Sequence, residues 1–149
     1  MKAERWQTEL EEAPPQACEP VLRDGPRRRF LWLMVEYFRT LGYSEVKARL
    51  PGHVAPPVLN GTLENHRPDL TCRQVDSART PVLLEVVVPA EVDAPGSENR
   101  WSLLASAARL YSAELHFVVP RWSDHGSIDH RLRRRLRDMD VRPNHIWQV

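Results

Sequence analysis

Lysine is nearly missing from this chain: of 21 basic residues only Lys2 and Lys47 are lysines, and the rest are arginines. Cysteine is as scarce. Cys18 and Cys72 form no CxxC pair, which excludes a disulfide framework and a thiolate zinc site and leads us to expect a reduced, intracellular protein. Among six glycines, Gly96 and Gly126 stand alone, and no glycine-rich phosphate loop of the Rossmann or P-loop kind occurs. The histidines at 53, 116, 125, 130 and 145 share no metal-ligand spacing, so a structural zinc site is not expected. No apolar run approaches the roughly 20 residues of a membrane span. The start, Met1-Lys2-Ala3-Glu4-Arg5, lacks the apolar core of a signal peptide. A cytoplasmic protein without membrane partners is expected.

What remains is a chain of 149 residues, one domain in length, with a formal net charge of +1. Its charge is patterned rather than large. Arginines cluster at Arg27-Arg28-Arg29 and between Arg131 and Arg137. Guanidinium bonds phosphate in bidentate fashion, so such clusters suit a nucleic-acid backbone; a solvated helix face explains them equally well.

Residues 1–26 carry Pro14, Pro15, Pro20 and Pro26 among acids with almost no periodicity, and read as a flexible or loosely docked proline-rich arm, with Trp6 and Leu10 able to form a short helix. The folded domain is expected over residues 27–149. Phe30, Leu31, Met34, Phe38 and Leu41 recur at helical spacing, and Gly42 ends that helix. Tyr43 to Leu50 alternates as a half-buried strand, with Val46, Ala48 and Leu50 inward and Glu45, Lys47 and Arg49 outward. Asn60-Gly61 signals a turn. Strands are expected within Leu63–Val75 and over Pro81–Val88, the latter apolar on both faces and so central. A helix capped by Ser97 and running to about Ala113, a strand Leu115–Val119, a helix Ser127–Met139 and a strand His145–Val149 complete the order. The class is α/β: a mixed sheet of four to five strands flanked by helices.

Glu85 breaks the apolar run Val82-Leu83-Leu84-Glu85-Val86-Val87-Val88. A carboxylate there is costly to desolvate without a cation. Asp69, in Arg67-Pro68-Asp69-Leu70, precedes a polar turn from Asp76 to Arg79. If the two segments pair across that turn, both acids reach one face of the sheet. Glu85 then has two explanations: a divalent metal shared with Asp69, or a buried salt bridge to Arg67, Arg73 or Arg100. His66, beside the Pro-Asp pair, is placed to contact phosphate or shuttle a proton. Trp122 lies in a loop, where it could stack on a base or a partner protein. On the last helix Ile128, Leu132, Leu136 and Met139 mark the buried stripe. Arg131, Arg134 and Arg135 are therefore expected to face solvent as a nucleic-acid-binding surface.

The order of elements, with Pro68-Asp69 on one strand and Glu85-Val86-Val87 on the next, resembles the PD-(D/E)XK nuclease superfamily, the restriction-endonuclease-like fold. The resemblance implies that Asp69 and Glu85 hold a catalytic Mg2+ or Mn2+, with Glu36 on the first helix helping to orient it. It also implies that DNA is the substrate. The family's lysine falls at Val87, which faces the same way as Glu85 but carries no charge. Arg100 and Arg109 on the following helix are the candidates to replace it. Two functions follow. One is a metal-dependent phosphodiester hydrolase acting on DNA, weakened or inactive. The other is a non-catalytic nuclease-like subunit that binds DNA or protein, with a homodimer among the possible assemblies.

Overall fold

Apolar residues at three- and four-residue intervals build the first helix, α1 (Pro26–Thr40), which buries Leu31, Met34, Val35 and Phe38 in a computed structural model that describes residues 17–121 and 126–149. Pro26 occupies the first turn, where its missing N–H costs nothing. Gly42, in the left-handed region at φ +83°, closes the other end: its N–H bonds the Arg39 carbonyl while Tyr43 N–H bonds that of Phe38. This is a Schellman motif. Helix α2 (Ser97–Leu110) and helix α3 (Ile128–Asp138) end in the same way, but with Ser112 and Asp140 in the left-handed position. That geometry stops α2 three residues before the expected Ala113. Its cap is Gly96, and Ser97 is the first helical residue rather than the cap.

The strands are β1 (Ser44–Ala48), β2 (Leu59–Asn60), β3 (Asn65–His66), β4 (Leu70–Arg73), β5 (Pro81–Val86), β6 (Glu114–Val119) and β7 (His145–Gln148). Five of them form one mixed sheet in the order β1-β4-β5-β6-β7, antiparallel as far as β5 and parallel beyond it. The crossovers are α2, between β5 and β6, and α3, between β6 and β7, as parallel neighbours require. The expected strand inside Leu63–Val75 is split. Its first part, β3, pairs with β2 in a separate two-stranded hairpin around Gly61, and only β4 joins the main sheet. Pro68 lies in the break, where it has no ladder hydrogen bond to donate.

The central position of β5 is borne out. Its side chains divide by parity, as a strand covered on both faces must. Val82, Leu84 and Val86 pack under α1 with Leu70, Cys72 and Phe38, while Leu83 and Val87 pack under α2 and α3 with Trp101, Leu104 and Phe117.

The described part of the expected arm is docked. Arg67 N–H and Nε–H donate to the carbonyls of Ala17 and Cys18 at 2.7 and 3.0 Å. Arg49 Nε–H donates to that of Glu19 at 2.7 Å, and Leu22 is buried. Trp6, Leu10, Trp122 and His125 lie outside the described residues.

Candidate functional site

The sheet register alone assembles the centre of the site. Lys47 and Ala48 of β1 face Thr71 and Leu70 of β4, so one residue further Arg49 lies opposite Asp69. Leu70 faces Leu84 of β5, which likewise brings Asp69 opposite Glu85, and Glu85 faces Phe117 of β6. Arg49, Asp69 and Glu85 thus form one row across three strands. The Arg49 N–H to Asp69 carbonyl bond and the Asp69 N–H to Leu84 carbonyl bond, both 3.0 Å, extend the ladders to that row. The expectation that Asp69 and Glu85 share one face is met.

The row is sealed. Arg49 and Asp69 are 0% exposed and Glu85 1%. Around it, also buried, stand Arg27 from the first turn of α1, His66 from β3, Glu91 from the short 3-10 turn Pro89–Glu91, and Ser97 and Arg100 from the start of α2. Three carboxylates and three guanidiniums face each other without solvent.

Their bonding is specific. Asp69 Oδ1 meets Arg49 Nη1 at 3.2 Å; its Oδ2 meets Arg27 Nη1 at 3.4 Å and accepts the Val86 N–H at 2.8 Å. Arg27 reaches further, with Nη1 on the Val86 carbonyl and Nη2 on Glu91 Oε1. Glu91 is held from two other sides: Val88 N–H donates to Oε1 at 3.0 Å and Arg100 Nη2 lies 3.2 Å from Oε2. Arg100 also donates to Ser97 Oγ at 3.0 Å, and that hydroxyl donates to the Glu91 carbonyl at 2.6 Å. Glu85 pairs with His66, Oε2 to Nε2, at 2.7 Å.

Burial pushes the Asp69 carboxyl up, and the charge of Glu85 adds to it, against Arg27, Arg49 and the Val86 N–H; the result is about 6. Glu85 goes the other way. Burial raises it too, but the charge and hydrogen bond of His66, with Arg27 and Arg100, outweigh that and hold it below its usual value. His66 is raised in turn: burial opposes its charge, and Glu85 more than compensates. Two neighbouring acids with opposite shifts mark Asp69 as the one that takes a proton first.

The donors for a divalent ion are therefore already engaged. Both Asp69 oxygens, the Val86 carbonyl and Glu91 are taken by guanidinium or N–H groups, and Glu85 Oε1 is the one carboxylate oxygen of the cluster without a donor among the described residues. A hard cation wants about six oxygens, and one does not suffice. Among the described residues no set of three or more His, Cys, Asp or Glu side chains has metal-binding geometry. As arranged, these residues do not fit a metal.

The other expected participants are placed as follows. Glu36 is exposed on α1, and nothing joins it to the cluster; the helical contribution is Arg27. Arg67 bonds backbone carbonyls and Arg73 pairs with exposed Glu45, so of the three arginines proposed as partners only Arg100 belongs to the cluster, through Glu91. Val87 faces as Glu85 does but is packed against Trp101 and Leu104. Arg109 is exposed and donates to Ser106 Oγ at 3.4 Å. On α3 the expected solvent face is partly spent on internal pairs: Arg131 bonds Asp93, and Arg135 lies 3.0 Å from Glu98. Both arginines are half-buried; Arg131 ties α3 to the loop before α2, and Arg135 ties it to the first turn of α2. Arg134 is exposed, as expected, and so is Arg137.

Arg27, Arg49 and Glu91 were not expected in the site. Arg49 gave no signal: alternation with Glu45 and Lys47 assigned it to solvent, whereas β1 ends at Ala48 and Arg49 turns inward beyond it. Comparison with protein-family models, curated proteins and solved structures returns no match.

Proposed function

We propose that the chain is a restriction-endonuclease-like domain that binds DNA without cleaving it. The observation that carries this reading is the commitment of both Asp69 oxygens to Arg27 and Arg49. Phosphodiester hydrolysis by such a pair of acids needs a metal to activate water and clamp the phosphate, and here guanidinium groups stand in that role's place. Two features support the reading further. The acids are sealed from solvent, so a phosphate cannot approach them in this arrangement. The residue two after Glu85 is a core valine, which offers no charge to a transition state.

Binding then falls to the outer surface. Arg134 and Arg137 are exposed on α3 and have no acidic partner among the described residues. Contacts of this kind go to phosphates and read no sequence. The test is a gel-shift titration of linear duplex DNA with wild type and Arg134→Glu/Arg137→Glu, alongside incubation of supercoiled plasmid with Mg2+ and Mn2+. Affinity falls in the variant for every sequence tried, and the salt dependence of log K drops by roughly two units if each arginine meets one phosphate. Plasmid cleavage that disappears in Glu85→Gln would refute the reading.

A second reading, docking on a protein, has its own observation. Leu33 and Tyr37 on α1 and Leu41 at its C-cap repeat every four residues and are 56, 44 and 44% exposed. A pull-down partner that is lost on Leu33→Asp, with DNA affinity absent throughout, would favour it.

A further inference from the structure

We propose that the Arg27 guanidinium is the resident cation of a hard-oxygen site, and that removing it converts the cluster into a divalent-metal site built from Asp69, Val86 and Glu91. The inference rests on the reading above of the cluster as a substituted metal centre, and adds to it the donor set and the residue that keeps metal out.

The geometry is that of one cation among three oxygens from three separate segments. Arg27 Nη1 meets Asp69 Oδ2, just before β4, at 3.4 Å, and donates to the Val86 carbonyl at the end of β5; Nη2 meets Glu91 Oε1 in the 3-10 turn. Two carboxylate oxygens and a backbone carbonyl are the donors that Mg2+ and Mn2+ take, and neither ion competes well for the His66 nitrogen. The oxygens are also anchored independently of Arg27: Asp69 by Arg49 and the Val86 N–H, Glu91 by Arg100 and the Val88 N–H. The cradle therefore persists when the guanidinium is cut away.

Charge permits the exchange. Each buried acid keeps one cation without Arg27: Asp69 has Arg49, Glu91 has Arg100 and Glu85 has His66. Arg27 is the cation shared between Asp69 and Glu91, and a divalent ion takes its place between them from inside the space that the side chain leaves.

The experiment compares wild type with Arg27→Ala, using Mn2+ alone as the probe. Bound metal is read as loss of the free-ion Mn2+ resonance, and stability as Tm in EDTA and in Mn2+. Wild type shows no binding and no shift. Arg27→Ala melts lower than wild type in EDTA and binds one Mn2+ per chain. At Mn2+ about 100 times its dissociation constant, the variant's Tm rises by roughly 5–10 °C. Arg27→Ala/Glu91→Gln loses the binding, and free guanidinium at low millimolar concentration competes with it. Should Arg27→Ala not fold in EDTA, folding is assayed on adding Mn2+, and Arg27→Gln, which keeps the aliphatic stem, is titrated in parallel. Variants that fold and bind no Mn2+, or that Mn2+ cannot fold, overturn the inference while leaving the reading of the wild type intact. Mn2+ bound by the wild type at Asp69 and Glu85 overturns both.

Discussion

Replacing Arg49 by methionine isolates the charge that the fold places on Asp69. The aliphatic stem is largely kept and the Arg49 N–H to Asp69 carbonyl bond is untouched, but the 3.2 Å contact to Oδ1 and the 2.7 Å bond to the Glu19 carbonyl are lost. Both partners are 0% exposed, and removing one half of such a pair costs about 3–5 kcal/mol. That cost has a ceiling set by protonation. Asp69 already sits at about 6, burial being the largest cause. Losing Arg49 takes away a lowering influence and moves it higher. Because the folded value lies above the unfolded one, the folded state keeps a proton that the unfolded state has released. Stability from this group is complete below about pH 4 and declines as pH rises through the folded value. In Arg49→Met the decline continues to higher pH, at up to about 1.4 kcal/mol per pH unit for one proton. The variant is therefore about 1 kcal/mol less stable than wild type at pH 5, where Asp69 is mostly protonated in both and only the lost Glu19 bond counts, and about 3–5 kcal/mol less stable at pH 8. Urea unfolding followed by tryptophan fluorescence at pH 5, 6, 7 and 8 measures the difference directly. The double variant Arg49→Met/Asp69→Asn should recover much of the loss at pH 8, since no buried charge then lacks a partner. A destabilisation that is the same at pH 5 and pH 8, or below about 1 kcal/mol at pH 8, would refute the argument that Arg49 neutralises Asp69.

The His66–Glu85 pair acts in its own pH windows. His66 is raised above its ordinary value, so its stabilisation is complete below pH 6.5 and is lost as pH climbs through the folded value; Glu85 is lowered, so its contribution is present above pH 4.5 and is lost in acid. His66→Gln should flatten the stability profile on the alkaline side, and parallel profiles of variant and wild type between pH 6 and 8 would show that the pair is not charged. Gly61→Ala tests the hairpin of β2 and β3: a Cβ there meets the Glu64 carbonyl oxygen and lies 3.2 Å from Leu103 Cδ2, on α2. The expected cost is about 1–3 kcal/mol, with amide exchange accelerated at residues 59–66 and unchanged in β5; uniform protection throughout would mean that the hairpin yields without strain.

How much of this was legible in the sequence follows from which interactions are local. Helix α1 could be read from Leu31, Met34 and Phe38 because a 3.6-residue period is a property of the segment itself. The same holds for β5, whose run is apolar on both faces except at Glu85 and fits a strand covered on both sides, and for α3, where Ile128, Leu132 and Leu136 are buried as their spacing requires. Helix α2 was read too long because its end depends on Ser112 adopting a left-handed backbone, a conformation that glycine signals and serine does not.

The pairing of Asp69 with Glu85 was also within reach, since a hairpin across the Asp76–Arg79 turn brings them face to face by counting residues alone. That neither acid could be buried bare was equally plain from Glu85 in its apolar run. What neutralises them was not. Arg49 alternates with Lys47 and Glu45 as though it faced water, and it is buried because residues 17–22 and the strand end fold over it. Arg27 lies 42 residues from Asp69 and, counting from 27 to 91, 64 from Glu91, so no period or spacing links them. The sequence by itself determined that Glu85 would be buried and need a counter-charge, and that a hairpin would bring Asp69 to the same face of the sheet. Only the tertiary structure decided that guanidinium groups would surround it, because the choice of counter-ion depends on which side chains from distant segments reach the same buried point.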